Sequence, residues 1–268
     1  MKKLLSLLLS VILAATLLCS LVSCGKSDWK EIEEKGRFVC GITYYEPMNY
    51  FDENGDLVGF DTEFAQAVAK ELGVEVKFQL ISWDAKYTEL NSGAIDAIWN
   101  GFTRGDEDGV SRAEYVDFSY DYLNNSQCIV MKTDAVASYT TIESLAGLKG
   151  MAEAGSAGEA VAKDATENYT AAASQADALM ELKAGTVDFI VIDVLLANAQ
   201  VGAGNYTDLA KNTAITCEPE VYAIGFRKGS DFTEKVNAAI KTLSENGTLA
   251  TIAAKYGLSN ALIENIGK

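Results

Sequence analysis

One aspartate stands where a charge is hard to place. Asp193 interrupts the apolar run Phe189-Ile190-Val191-Ile192 on one side and Val194-Leu195-Leu196 on the other, and an unpartnered carboxylate in such surroundings is costly. Ionised, it can only accept hydrogen bonds, which suits an ammonium donor. The complementary group is an arginine, whose planar fork bonds both oxygens of a carboxylate. Arg112 and Arg104 compete for that part. Bond-making chemistry has little to work with. The 268 residues contain no histidine, no paired-carboxylate or nucleophile–base motif stands out, and no Gly-x-x-x-x-Gly-Lys-[Ser/Thr] loop is present. Cys40, Cys128 and Cys217 have no metal-ligand spacing, and read as small buried hydrophobes, with a Cys128–Cys217 disulfide left open. The acidic run Gly105-Asp106-Glu107-Asp108-Gly109 lacks the spacing of an EF-hand loop and reads as a solvated charged turn.

The elements around these residues alternate between strand and helix from Phe38 onward, the pattern of an α/β fold. A helix is expected over 61–72, capped by Asp61, with Phe64, Ala65, Val68, Ala69 and Leu72 on one face and Gly73 as its left-handed stop. A strand follows over 74–81. Glu89-Leu90-Asn91-Ser92-Gly93-Ala94-Ile95-Asp96-Ala97-Ile98 echoes Glu181-Leu182-Lys183-Ala184-Gly185-Thr186-Val187-Asp188-Phe189-Ile190. Two copies of one helix–glycine–strand unit imply two similar lobes. Carried forward, the register makes Asn100-Gly101 equivalent to Ile192-Asp193, beyond the carboxyl ends of their strands, where open α/β sheets bind ligands. Extended runs at 127–132 and 221–228 are candidates for paired crossovers between lobes, with helices near 231–245 and 248–256 returning to the first lobe. Two crossovers permit a hinge.

The amino-terminal end reads as an export signal: Lys2-Lys3, an apolar run from Leu4 to Leu18, then Leu21-Val22-Ser23-Cys24. That run falls short of the roughly 20 residues needed to cross a bilayer. Leu21-Val22-Ser23-Cys24 resembles the lipobox of bacterial lipoproteins, which implies cleavage after residue 23 and a lipid on Cys24, placing the protein on the outer face of the cell membrane. With 38 acidic against 22 basic residues the net charge is −16. Removing a segment with two lysines and no acid makes it more negative, which argues against nucleic acid and broad adhesion to anionic lipid.

Taken in order, further motifs resemble the polar amino-acid-binding proteins of ABC importers, solute-binding family 3. They are Tyr45-Glu46-Pro47-Met48-Asn49-Tyr50, Asp52-Glu53-Asn54-Gly55, Val58-Gly59-Phe60-Asp61, Trp83, Gly101-Phe102-Thr103, Arg112 leading to Val116-Asp117-Phe118-Ser119, Leu145-Ala146-Gly147-Leu148-Lys149-Gly150, Ala154-Gly155-Ser156 and Ile192-Asp193. The resemblance implies a two-lobed type II periplasmic-binding-protein fold. It divides the chain into signal (1–23), tether (24–36), first lobe (37–128 and 222–268) and inserted second lobe (129–221), joined by two crossover strands.

It also implies roles. Tyr45 and Trp83 wall in the ligand side chain. Gly101 offers its carbonyl, and Thr103 its hydroxyl, to the α-ammonium group, which Asp193 pairs. Arg112 grips the α-carboxylate, with Ser156 and nearby N–H groups on the other lobe. The gap of eleven residues from Gly101 to Arg112, where the family has about seven, marks the acidic run as a loop expansion. Expected partners are a free amino acid, permease and ATPase subunits, and the bilayer through acylated Cys24, with no cofactor and no metal. Related proteins for cationic side chains often carry an acid where this chain has Ile42, so a neutral polar ligand such as glutamine or cystine is favoured, with Glu46 and the acidic loop keeping a cationic one open. The rivals are an enzyme resembling cyclohexadienyl dehydratases, which share this fold, and a sensory ligand-binding domain, which would need an attached membrane span and signalling domain.

Overall fold

The computed structural model describes residues 27–267, Asp108 excepted; Cys24 and the amino-terminal signal lie outside the described residues. We label the strands of the two main sheets β1 (Arg37–Ile42), β2 (Glu75–Leu80), β3 (Ala97–Ile98), β4 (Thr103–Arg104), β5 (Asp117–Phe118), β6 (Leu123–Lys132), β7 (Gly150–Glu153), β8 (Tyr169–Ala172), β9 (Phe189–Asp193), β10 (Leu209–Lys211), β11 (Pro219–Tyr222) and β12 (Gly225–Phe226). The helices are α1 (Asp28–Lys35), α2 (Phe60–Leu72), α3 (Lys86–Ser92), α4 (Ala157–Ala165), α5 (Gln175–Ala184), α6 (Val194–Gln200), α7 (Phe232–Glu245) and α8 (Thr248–Lys255).

The first lobe is a five-stranded sheet in the order β2-β1-β3-β12-β5. Its core is aromatic: Phe64 meets Trp99 edge-on at 5.0 Å and Tyr122 at 5.3 Å, and Phe38 packs on Phe232 at 5.1 Å. The second lobe is built on β8-β7-β9-β6, with β10 also on β6, and this sheet continues through β11 to β4 of the first lobe. Its core holds Ile129, Met131, Phe189 and Val191, all buried. Among the described residues no helix is long and apolar enough to cross a membrane.

The internal echo is structural. Gly93 and Gly185 both end their helices in the left-handed conformation, with φ of 78° and 77°. Asp96 then takes the Val39 N–H on Oδ2 at 3.0 Å, and Asp188 takes the Lys149 N–H at 2.8 Å. Each aspartate also donates its own N–H back, to Val39 O at 2.8 Å and to Lys149 O at 2.9 Å. In each lobe this two-way clamp registers the strand against its parallel neighbour, β3 on β1 and β9 on β7.

The chain passes between lobes through β6 and β11, paired antiparallel with Leu123 opposite Tyr222 and Ser126 opposite Pro219. The crossing pair lies earlier on the first strand than the expected 127–132, because residues 127–131 already pair with β9 inside the second lobe. Two further expectations are corrected. Residues 28–35 are not a loose tether: Ser27 caps α1, Trp29 stacks on Phe232 at 6.1 Å, and Asp28 meets Arg227 at 2.9 Å, so a packed face and an ion pair fix this helix to the first lobe. Asp61 is not the cap of α2, where Gly59 occupies that position; its buried carboxylate turns to a different task. The three cysteines in the described region are free thiols.

Candidate functional site

Trp83, Gly101, Thr103, Arg112, Ser156 and Asp193 line one cavity between the lobes, together with Asn100, Gln127, Glu153, Ala157 and Gln175. Its volume is about 10 Å³, room for a single water molecule, so anything larger enters only when the lobes part. Tyr45 stands apart from that lining. Its hydroxyl meets Tyr222 Oη at 2.7 Å and its ring lies beneath Gly101.

Gly101 is held from below. Asp61 Oδ2 accepts its N–H at 2.6 Å and the Tyr122 hydroxyl at 3.1 Å. Gly101 has φ of 57°, and an added Cβ would sit 2.8 Å from Tyr45 Cε1. Asn100 braces the adjoining turn, donating to Thr43 O at 2.9 Å and to Asn49 Oδ1 at 2.7 Å.

Arg112 is 1% exposed. It donates through Nε to Glu107 Oε2 at 3.1 Å, through Nη1 to Thr103 O at 3.0 Å, and through Nη2 across the cleft to Gly155 O at 3.2 Å. Lys86, fully buried, reaches the same Gly155 carbonyl at 2.9 Å and Glu107 at 3.1 Å. The two cations of the first lobe thus close on one backbone oxygen of the second. Glu107 belongs to the acidic run, which is therefore not merely a solvated turn. A short hairpin pairing Asp106–Glu107 with Val110–Ser111 brings its carboxylate inward, because two buried cations need a counter-charge. Arg104 faces away, to Ser119 O and Asp121.

The second lobe supplies the negative side. Asp193 is buried; Oδ1 accepts from Asn125 at 2.5 Å and Gln127 at 2.8 Å, and Oδ2 from Gln175. Ser156 caps α4, accepting the Glu159 N–H at 3.1 Å, and puts the helix's first turn against the cavity, an arrangement that favours anions.

Two carboxylates that the sequence reading did not single out lie beside Asp193. Glu220, on β11, accepts from Gln127 at 2.8 Å and from the Thr103 hydroxyl at 3.0 Å. Glu153, the last residue of β7, is 3% exposed, and its Oε1 has no hydrogen-bond partner. Burial first, and the Asp193 charge second, push Glu153 up to about 8 and Glu220 to about 7. For Asp61 burial alone drives the rise to about 7, which Gly101 and Tyr122 offset only in part.

These three acids set a pH profile. Between about pH 4 and 8 the folded protein keeps protons that the unfolded chain has lost, so stability falls as pH rises and levels off above about 8. Acids held below their usual range, Asp117 and Asp231 among them, lose their contribution only under more acidic conditions. The melting temperature without ligand is expected to drop from pH 5 to pH 8 by on the order of 10 °C; a flat or rising melting curve would contradict the upward shift of these three buried acids.

Residues 38–259 match the family described as bacterial extracellular solute-binding proteins, family 3. The chain is 30% identical over 256 residues to the arginine-binding extracellular protein ArtP of Bacillus subtilis (strain 168), covering 92% of this chain and 96% of that one. It is 33% identical over 281 residues to the L-cystine-binding protein TcyA of the same organism, covering 95% and 97%. Among solved structures, a mutant of ArgBP from T. maritima superposes with a TM-score of 0.77 at 30% identity, covering 85% of this chain and 98% of that one. With two α/β lobes, a paired-strand hinge and a charged cleft between them, the chain belongs to the bacterial extracellular solute-binding proteins of family 3.

Proposed function

We propose that this protein captures a free amino acid between its lobes and delivers it to the permease of an ABC importer. One observation carries the reading: a buried arginine from one lobe and a buried aspartate from the other line the same cavity. An α-amino acid bears opposite charges on one carbon, and a site that excludes water must supply a partner for each. Arg112 takes the α-carboxylate, helped by Ser156 and the N–H groups of the first turn of α4. Asp193 takes the α-ammonium, with the Gly101 carbonyl and the Thr103 hydroxyl. Trp83 covers the side chain, and Tyr45 acts from beneath Gly101. Relatives named for binding arginine and cystine support the ligand class. Contacts that exist only when the lobes are closed give the ligand its hold on the equilibrium.

The protein works extracytoplasmically, tethered through a lipid on Cys24. Palmitate labelling lost in Cys24→Ser, with the protein released from the membrane fraction, is the expected result. Nothing is transformed in the cleft. Glu153, whose carboxyl burial pushes up to about 8, is the feature that most favours an enzyme, as a general acid. Both readings are tested by melting the protein against the twenty amino acids and cystine. A cognate ligand at 100 times its Kd adds about 2.7 kcal/mol, and mass spectrometry should recover it unchanged. No shift at millimolar concentration would rule out capture, and a product in place of the ligand would establish the enzyme.

A further inference from the structure

The relatives divide between a ligand whose side chain is net positive and one whose side chain is neutral overall, so the choice for this chain rests on its own cleft. Four acidic side chains, Glu107, Glu153, Asp193 and Glu220, and two cations, Lys86 and Arg112, gather around the cleft. Glu107 is spent on the two cations, bonding Lys86 and Arg112 at 3.1 Å each. Asp193 and Glu220 are wrapped by the amides of Asn125 and Gln127. Glu153 is left over: it lines the cavity, is 3% exposed, and leaves Oε1 without a hydrogen bond. A buried oxygen without a partner is a standing cost; a cation placed beside Glu153 would stabilise its charged form and supply that partner, whereas a neutral zwitterion, whose ammonium and carboxylate are taken by Asp193 and Arg112, brings no such group. A ligand with one more positive charge does.

We infer that the cleft is built for an amino acid with a cationic side chain, and that Glu153 is the counter-charge for that cation while Asp193 holds the α-ammonium. The inference rests on the amino-acid reading above and departs from the neutral ligand expected from Ile42. The acid that Ile42 lacks on the first lobe is supplied from the second, at the end of β7. Glu220 shares the amides of Asn125 and Gln127 with Asp193 and does not line the cavity. The guanidinium of arginine suits the role, since a planar multi-donor group can satisfy the free oxygen and stack on the neighbouring Trp83.

The test is calorimetric titration of the purified protein with L-arginine and with L-citrulline, which has nearly the same shape and no side-chain charge. Arginine is expected to bind about 100-fold more tightly. Glu153→Gln should reduce that preference to less than about fivefold by weakening arginine while leaving citrulline within about threefold. The wild-type ratio needs no variant, so the idea stays testable if Glu153→Gln folds poorly. Citrulline or glutamine binding as tightly as arginine would overturn the cationic preference while amino-acid capture stands. A preference intact in Glu153→Gln would remove Glu153 from the role, and failure of every amino acid to bind would take down the function itself.

Discussion

Asp193→Asn is expected to weaken binding of the cognate amino acid about a thousandfold while leaving the ligand-free protein at least as heat-stable as the parent. Removing one member of a buried, hydrogen-bonded charge pair costs about 2–5 kcal/mol, and the ammonium of a bound amino acid would lose its only ionic partner. The effect on folding runs the other way. The Asp193 charge raises both Glu153 and Glu220, so an uncharged side chain of the same shape relieves two buried acids while still accepting from Gln127 or Asn125. Titration calorimetry and a melting curve on the same sample separate the outcomes. Full affinity would move the ammonium site elsewhere, and a joint loss of affinity and stability would make Asp193 a structural residue.

Gly59→Ala should cost about 3 kcal/mol or more, on the order of 10 °C in melting temperature. Gly59 has φ of 126° and ψ of 166°, a region essentially closed to residues with a side chain. An added Cβ would lie 2.1 Å from Met48 O and 2.5 Å from Met48 C, backbone atoms that cannot swing aside. The damage reaches the cleft, because Gly59 starts the turn that aims Asp61 at the Gly101 N–H. Gly55→Ala is the control: its φ is 84°, yet nothing lies within 4 Å of an added Cβ, so it should lose about 1 kcal/mol. Equal melting of the two variants would mean that the backbone around Met48 yields.

Legibility in the sequence followed the range of the interactions. The amphipathic helices α2, α7 and α8 show in local periodicity within a residue or two of their ends, and the echo at 89–98 and 181–190 gave away the repeated unit because each copy is one contiguous segment. The aspartate embedded in β9 was conspicuous because its neighbours are apolar. Other parts depend on pairings that no local pattern encodes. Lys86 looks like an ordinary helix lysine, yet its partners Glu107 and Gly155 lie 21 and 69 residues along the chain. Glu153 carries a signal that was available: a carboxylate closing the short run Gly150-Met151-Ala152, just before Gly155-Ser156. Asp61 looked like a cap because aspartate at a helix start usually is one, but a glycine already held that position and the carboxylate was free to reach Gly101 and Tyr122. Residues 28–35 looked like a spacer because the partner of Trp29 is Phe232, at the other end of the sequence.

The hinge has a consequence for how such proteins diversify. The segment carrying Glu153, Ser156 and Asp193 leaves through β6 and returns through β11, with Ser126 directly opposite Pro219, and residues facing each other across an antiparallel ladder are only about 5 Å apart. Its two ends are therefore already side by side, so genetic exchange between those points can swap it as a cassette. Such a recombinant would retain Arg112 and Trp83 while inheriting a new set of acids opposite them, and selectivity would change hands without rebuilding the half that grips the carboxylate.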